Sequence, residues 1–143
     1  MTVPVWTLLG FAAWTVILLL ATVGVYRWSR ILTGRVAIRD FRADQVEGED
    51  WYRRAMRAHA NCIENLPVFA AIVFALHVSG VRSPAANYLC ITVLVARVLQ
   101  SLIHVCLVQT NAVVSVRFAF FFVQLASFVS LTVMVLRQAG LAW

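Results

Sequence analysis

The sequence predicts an all-α protein that crosses a membrane four times as a helical bundle. Its 143 residues are 62% hydrophobic and only 13% charged, whereas a soluble domain is about half apolar and a quarter charged. Four long apolar stretches alternate with short polar links, and about 20 apolar residues are enough to cross a bilayer core. This composition excludes intrinsic disorder. Three cysteines without a C-x-x-C pair exclude a disulfide scaffold.

The first predicted helix covers about residues 4–28. No charged side chain occurs from Met1 to Tyr26. The stretch has no basic start and is longer than the apolar region of a secretion signal, so we expect a retained helix. A polar loop of about residues 29–54 follows, and Gly48 lies among three acidic residues in its clearest turn signal.

The other three helices are predicted over about residues 55–79, 85–108 and 112–137. Gly80 and Pro84 bracket the second link, and a short polar run, Gln109-Thr110-Asn111, forms the third. Because both links are short, the helices that they join are expected to lie antiparallel. Residues 1–143 are therefore predicted to form one four-helix domain.

The distribution of positive charge predicts the orientation of the chain. All 12 basic residues are arginine, and eight of them lie between residues 27 and 57. The positive-inside rule therefore places the first link in the cytoplasm and both termini on the opposite side. A loop at a membrane surface accounts for the net charge of +6, so no nucleic-acid partner is expected.

Three predicted helices each carry a narrow polar stripe at membrane depth. At about 100° per residue, residues spaced i, i+4 and i+7 share one helix face. The stripes are Arg57, Asn61 and Glu64; Arg97, Ser101 and His104; and Arg117, Phe121 and Gln124. A charged side chain at this depth raises the free energy of insertion, so it usually faces protein or water.

Pairing of Glu64 with Arg97 or Arg117 is one explanation of the stripes. However, three arginines face one glutamate, so about two positive charges stay uncompensated. Guanidinium groups bind carboxylates in pairs of hydrogen bonds. The stripes therefore predict an anion pocket that opens near the cytoplasmic face. No spacing of histidine, cysteine and acidic residues suggests a metal site.

The run from Arg57 to Pro67, R-A-H-A-N-C-I-E-N-L-P, resembles the MAPEG family, the membrane-associated proteins in eicosanoid and glutathione metabolism. The stretches Thr33-Gly34-Arg35-Val36 and Ala96-Arg97-Val98 are also similar to that family. The resemblance covers essentially the whole chain. It implies a four-helix protomer that assembles as a homotrimer, with glutathione bound between neighbouring protomers on the cytoplasmic side.

The resemblance also implies roles for particular residues. Arg57, Asn61 and Glu64 match positions that hold the polar and charged groups of glutathione, and Arg97 matches a position that binds or supports the tripeptide. Arg117 resembles the arginine credited with stabilising the glutathione thiolate. His104, which stands where the family has a tyrosine, is included among the candidate binding residues. The implied activity is that of a glutathione transferase or peroxidase acting on lipophilic electrophiles that arrive from the bilayer.

Two other functions are open at this stage. A non-catalytic member that binds glutathione or lipid is favoured by Phe118 and Phe121, which replace the serine and tyrosine of catalytic relatives. A small multidrug exporter also has four short spans and one membrane carboxylate. In that class the essential glutamate lies in the first helix, whereas Glu64 lies in the second, and three membrane arginines would repel cationic drugs.

Overall fold

The computed structural model of the chain describes residues 1–41 and 47–140. Within them, four helices are long and apolar enough to cross a membrane: α1 (Val3–Leu32), α2 (Asp50–Val78), α3 (Pro84–Cys106) and α4 (Asn111–Gln138). A 3-10 turn, Ile38–Asp40, lies in the first link. The prediction of an all-α protein with four long apolar helices is confirmed.

Helix α2 begins about five residues earlier than the sequence predicted. Its first turns are polar, so they lie outside the apolar stretch that marked the helix. Glu49 adopts an extended conformation just before the helix, and Asp50 lies in its first turn, where a negative charge interacts favourably with the helix dipole. Helix α1 continues to Leu32, so the polar link is shorter than the predicted 29–54.

Consecutive helices run antiparallel. Phe11, early in α1, packs against Phe69, late in α2, with ring centroids 5.7 Å apart. The links at residues 79–83 and 107–110 are short, and Ser83 and Thr110 accept hydrogen bonds from the first turns of α3 and α4, as N-cap residues do. The start of α1 and the end of α4 therefore share one end of the bundle, the termini end. The first link lies at the other, the loop end.

All four helices contribute to one apolar core. Phe69 is fully buried, and its ring lies 6.0 Å from that of Phe128 on α4. Cys90 and Val93 of α3 are fully buried in the same cluster. This core fixes the three polar stripes relative to one another.

Helix α1 contains a widened π-helical turn, Leu19–Gly24. The hydroxyl of Thr22 donates a hydrogen bond of 2.5 Å to the carbonyl oxygen of Leu18. Such side-chain bonds compete with the regular backbone pattern, and single π turns insert an extra residue into a helix. Hydropathy carries no signal of this change in backbone bonding, so the sequence did not predict it.

An aromatic and charged cluster ties α1 to α2 at the loop end. Tyr26 stacks on Tyr52 with ring centroids 4.0 Å apart. The Nε of Arg27 donates to the hydroxyl of Tyr52 at 2.8 Å. Arg30 pairs with Glu49 at 2.6 Å. These contacts hold both ends of the first link against the bundle.

Replacing Gly48 by alanine is expected to loosen this cluster. Gly48 has a φ of +137°, and a Cβ there would lie 2.7 Å from the Tyr26 hydroxyl and 3.0 Å from Cδ1 of Tyr52. We expect Gly48→Ala to destabilise the protein by about 1–3 kcal/mol, measured as a lower thermal midpoint in detergent. Gly34→Ala is the control, because Gly34 also has a positive φ but a Cβ there would meet no heavy atom within 4 Å. Equal losses in both variants would contradict the steric argument.

Candidate ligand site between the second, third and fourth helices

A cavity of about 220 Å³ opens between α2, α3 and α4. Its lining residues are Asn61, Glu64, Asn65, Arg97, Gln100, Arg117, Phe118 and Phe121. The bundle therefore brings four of the six residues that the sequence singled out, one or two from each helix, to a single cavity. These four are Asn61, Glu64, Arg97 and Arg117.

Arg97 is the most deeply buried charged residue of the described chain. Its exposed fraction is 1%, and it lies nine residues before the end of α3, about 14 Å along the helix axis. Its guanidinium carbon is 5.6 Å from the centre of the Phe11 ring. Neither Nε nor Nη2 has a hydrogen-bond partner within the described residues. Buried donors of this kind normally have an acceptor.

Glu64 forms no direct ion pair with these arginines. In the described part of the chain, no carboxylate lies within 4 Å of the guanidinium of Arg97 or Arg117. Glu64 is exposed on the surface of the single chain although it lines the cavity. The described residues therefore do not form the ion pair between Glu64 and Arg97 or Arg117 that was one explanation of the stripes.

Arg117 is partly buried and is fixed to α3 through its backbone. The side-chain nitrogen of Gln100 donates to the Arg117 carbonyl oxygen at 2.9 Å. The side-chain nitrogen of Gln124, which is 1% exposed, donates to the Gln100 amide oxygen at 3.0 Å. This chain of amides sets the position of α4 against α3 at the level of the cavity. The Nε of Arg117 is buried without a partner among the described residues.

Arg57 and His104 do not line the cavity. His104 is buried at 2% exposure, and its Nε2 has no partner in the described part of the chain. Arg57 is exposed on α2, close enough for its charge to act on both His104 and Arg117. Neither residue therefore forms part of the cavity wall.

Two lining residues, Asn65 and Gln100, were missed by sequence reasoning. Both are uncharged amides in apolar helices, so a pattern of charges at membrane depth does not include them. The sequence contained a weak indication of Gln100. This residue follows Arg97 by three positions and therefore shares its helix face. With Asn61, these amides give the cavity neutral donors and acceptors beside its charges.

The cavity suits a small polar anion that also carries a positive group and amides. Two guanidinium groups offer donors to carboxylates, and Glu64 offers an acceptor for an ammonium group. Among the described residues, no group of three or more histidine, cysteine or acidic side chains could hold a metal ion. The unpaired buried nitrogens of Arg97 and Arg117 indicate an anionic ligand, because buried charged donors are unfavourable unless an acceptor pairs with them.

Four apolar helices of membrane-spanning length are typical of a multi-pass integral membrane protein. The cavity with unpaired arginines between three of them is a candidate anion site. The sequence profile of the MAPEG family matches residues 4–137. The chain belongs to the MAPEG family, and the resemblance found in the sequence is confirmed. No curated protein and no solved structure matches the chain.

Proposed function

We propose that this protein binds glutathione in the cavity between α2, α3 and α4 and is a glutathione transferase or peroxidase for lipophilic electrophiles. The observation that carries the proposal is a set of three buried guanidinium nitrogens without an acceptor among the described residues: Nε and Nη2 of Arg97 and Nε of Arg117. Membership of the MAPEG family supports the same conclusion.

The lining residues match the functional groups of glutathione. This tripeptide has two carboxylates, one ammonium group, two amides and a thiol. Arg97 would pair with a carboxylate, and this pairing would offset the unfavourable free energy of its buried charge. Glu64 would accept from the ammonium group, and the amides of Asn61 and Gln100 would bind the peptide groups. Arg57, at the border of the cavity, would add a second positive charge for a carboxylate.

Arg117 is proposed to stabilise the glutathione sulfur as a thiolate. A free thiol has a pKa of about 8.5 and is only slightly ionised at neutral pH. A neighbouring guanidinium favours the anion and lowers that pKa. Bound glutathione supplies the nucleophile, because the thiolate rather than the thiol attacks. The Gln100 and Gln124 amides, through the Arg117 carbonyl, hold α4 in place for this role.

The second substrate is proposed to approach from the lipid side. Phe118 and Phe121 line the cavity and are 57% and 38% exposed on the protomer surface. An apolar electrophile dissolved in the bilayer would therefore reach the cavity across aromatic side chains. Conjugation and hydroperoxide reduction both fit this route.

We propose a homotrimer with the cavity at the contacts between protomers. Glu64 lines the cavity but is exposed on the single chain, so the cavity is open sideways and a neighbouring protomer could close it. The concentration of arginines in the first link supports a cytoplasmic loop end, with both termini on the opposite side.

A non-catalytic glutathione- or lipid-binding protein is the second candidate. Within the described residues, no hydroxyl-bearing side chain lines the cavity, and Phe118 and Phe121 stand beside Arg117 instead. Such a cavity has no hydroxyl with which to assist a leaving group. Binding without turnover would be the result.

The purified protein is expected to be stabilised by glutathione and to conjugate it to an activated aromatic halide. A ligand at 100 times its Kd raises the free energy of unfolding by about 2.7 kcal/mol. The measurements are the thermal midpoint with and without glutathione and the rate of conjugate formation. Stabilisation without turnover would select the non-catalytic candidate, and the absence of both would refute glutathione binding.

A further inference from the structure

A second, larger cavity of about 840 Å³ opens at the termini end of the bundle. The start of α1, the end of α2 and the start of α3 surround it. Its apolar floor includes Val5, Val73, Leu76 and Val81. Val73 and Leu76 are buried members of the core. The cavity shares no residue with the candidate glutathione site, so it is a separate candidate for ligand binding.

The rim of this cavity is polar and positively charged. Arg82, His77, Ser83 and Asn87 belong to it. Arg82 is exposed and forms no ion pair with a described acidic residue. All six aspartates and glutamates of the sequence lie between residues 40 and 64, so none belongs to the helix turns at the termini end. This end therefore favours an anion.

The cavity lies close to the ends of α2 and α3. Val73 lies five residues before the end of α2, about 7.5 Å along the helix axis, and Asn87 lies three residues after the start of α3, about 4.5 Å. The polar layer on each side of a bilayer is roughly 5–7 Å thick. The lining residues of α2 and α3 therefore lie within two turns of the helix ends, and helices longer than about 20 residues reach beyond the hydrocarbon core into the headgroup layer.

We propose that this cavity binds the headgroup of an anionic phospholipid. Arg82 pairs with the phosphate, the side chains of Ser83 and Asn87 hydrogen-bond to the headgroup, and the apolar floor covers the beginning of an acyl chain. A guanidinium group binds a phosphate through two parallel hydrogen bonds. Basic pockets between membrane helices are known to bind anionic headgroups on the cytoplasmic side, and the same chemistry is available at the opposite end of this bundle. A volume of 840 Å³ lies within the roughly 300–1,000 Å³ of small-molecule sites.

The test compares retention of phosphatidylglycerol and phosphatidylcholine by the purified protein in mixed micelles, measured by native mass spectrometry. The wild-type protein is expected to retain phosphatidylglycerol preferentially. Arg82→Gln is expected to reduce that preference about fivefold, since one basic side chain near a membrane surface is worth about that factor. Arg137→Gln is the matched control, because Arg137 is exposed in the last turn of α4 at the same end but does not line the cavity.

Three results would overturn the proposal. One is equal retention of the two lipids by the wild-type protein. The second is an equal loss of preference in the Arg82 and Arg137 variants, which would indicate general surface charge. The third is equal protection of the thermal midpoint by glycerol phosphate and by phosphatidylglycerol, because the apolar floor would then contribute nothing. Glutathione binding does not enter any of these readouts, so this proposal and the proposed function fail independently.

Discussion

Replacing Arg117 by alanine is expected to abolish most of the glutathione-dependent turnover. If Arg117 stabilises the thiolate, its loss removes a charge that acts on the reacting sulfur, and kcat/KM is expected to fall about 100- to 1,000-fold. Binding of glutathione is expected to weaken much less, because Arg97 and the lining amides stay in place. The measurements are the ultraviolet absorbance of the bound thiolate and the conjugation rate.

The pH profile separates this role from a merely structural one. In the wild-type protein the rate is expected to reach its plateau below pH 8.5, because the positive charge lowers the pKa of the bound thiol. In Arg117→Ala the rate is expected to rise only as pH approaches the free-thiol pKa of about 8.5. Arg117→Lys keeps a positive charge and is expected to recover part of the shift. Unchanged thiolate absorbance and turnover in Arg117→Ala would contradict the assignment.

Replacing Arg97 by methionine is expected to stabilise the ligand-free protein. Arg97 is 1% exposed, and two of its nitrogens are unpaired within the described residues. A buried charge without a partner destabilises a protein by about 3–5 kcal/mol, and an apolar side chain at the same position removes that effect. The loss of the cation–π contact with Phe11 is a smaller opposing effect, about 1–2 kcal/mol. The thermal midpoint in detergent is therefore expected to rise.

Arg137→Met is the control for this substitution. Arg137 is exposed in the last turn of α4, so its replacement is expected to leave the midpoint nearly unchanged. A marked fall of the midpoint in Arg97→Met would mean that Arg97 is compensated within the protein. In that case its charge would not require a ligand.

The sequence predicted the helices and the polar stripes because both depend on local patterns. Hydropathy located four spans, and a spacing of 3.6 residues per turn placed Glu64, Arg97 and Arg117 on stripes of three different helices. That these stripes meet at one cavity depends on how Phe11, Phe69 and the rest of the core pack. The local pattern carries little information on such contacts between helices.

The stripes were also too long for the cavity. Residues at i and i+7 on a helix are about 10.5 Å apart, whereas a cavity of about 220 Å³ extends over only part of that length. On α3 the cavity includes Arg97 but not His104, and on α2 it includes Glu64 but not Arg57. Gln100 takes part instead, since it lies only one turn from Arg97.

Ligand-induced stabilisation tests most directly whether the surplus positive charge of Arg97 and Arg117 is neutralised by glutathione. The measurement is the rise in thermal midpoint caused by saturating glutathione in the wild-type protein and in Arg97→Met. We expect a clear rise in the wild-type protein and little or none in the variant, although the variant begins from the higher midpoint. Equal rises in both proteins, or no rise in the wild-type protein, would show that the buried arginines do not hold this ligand.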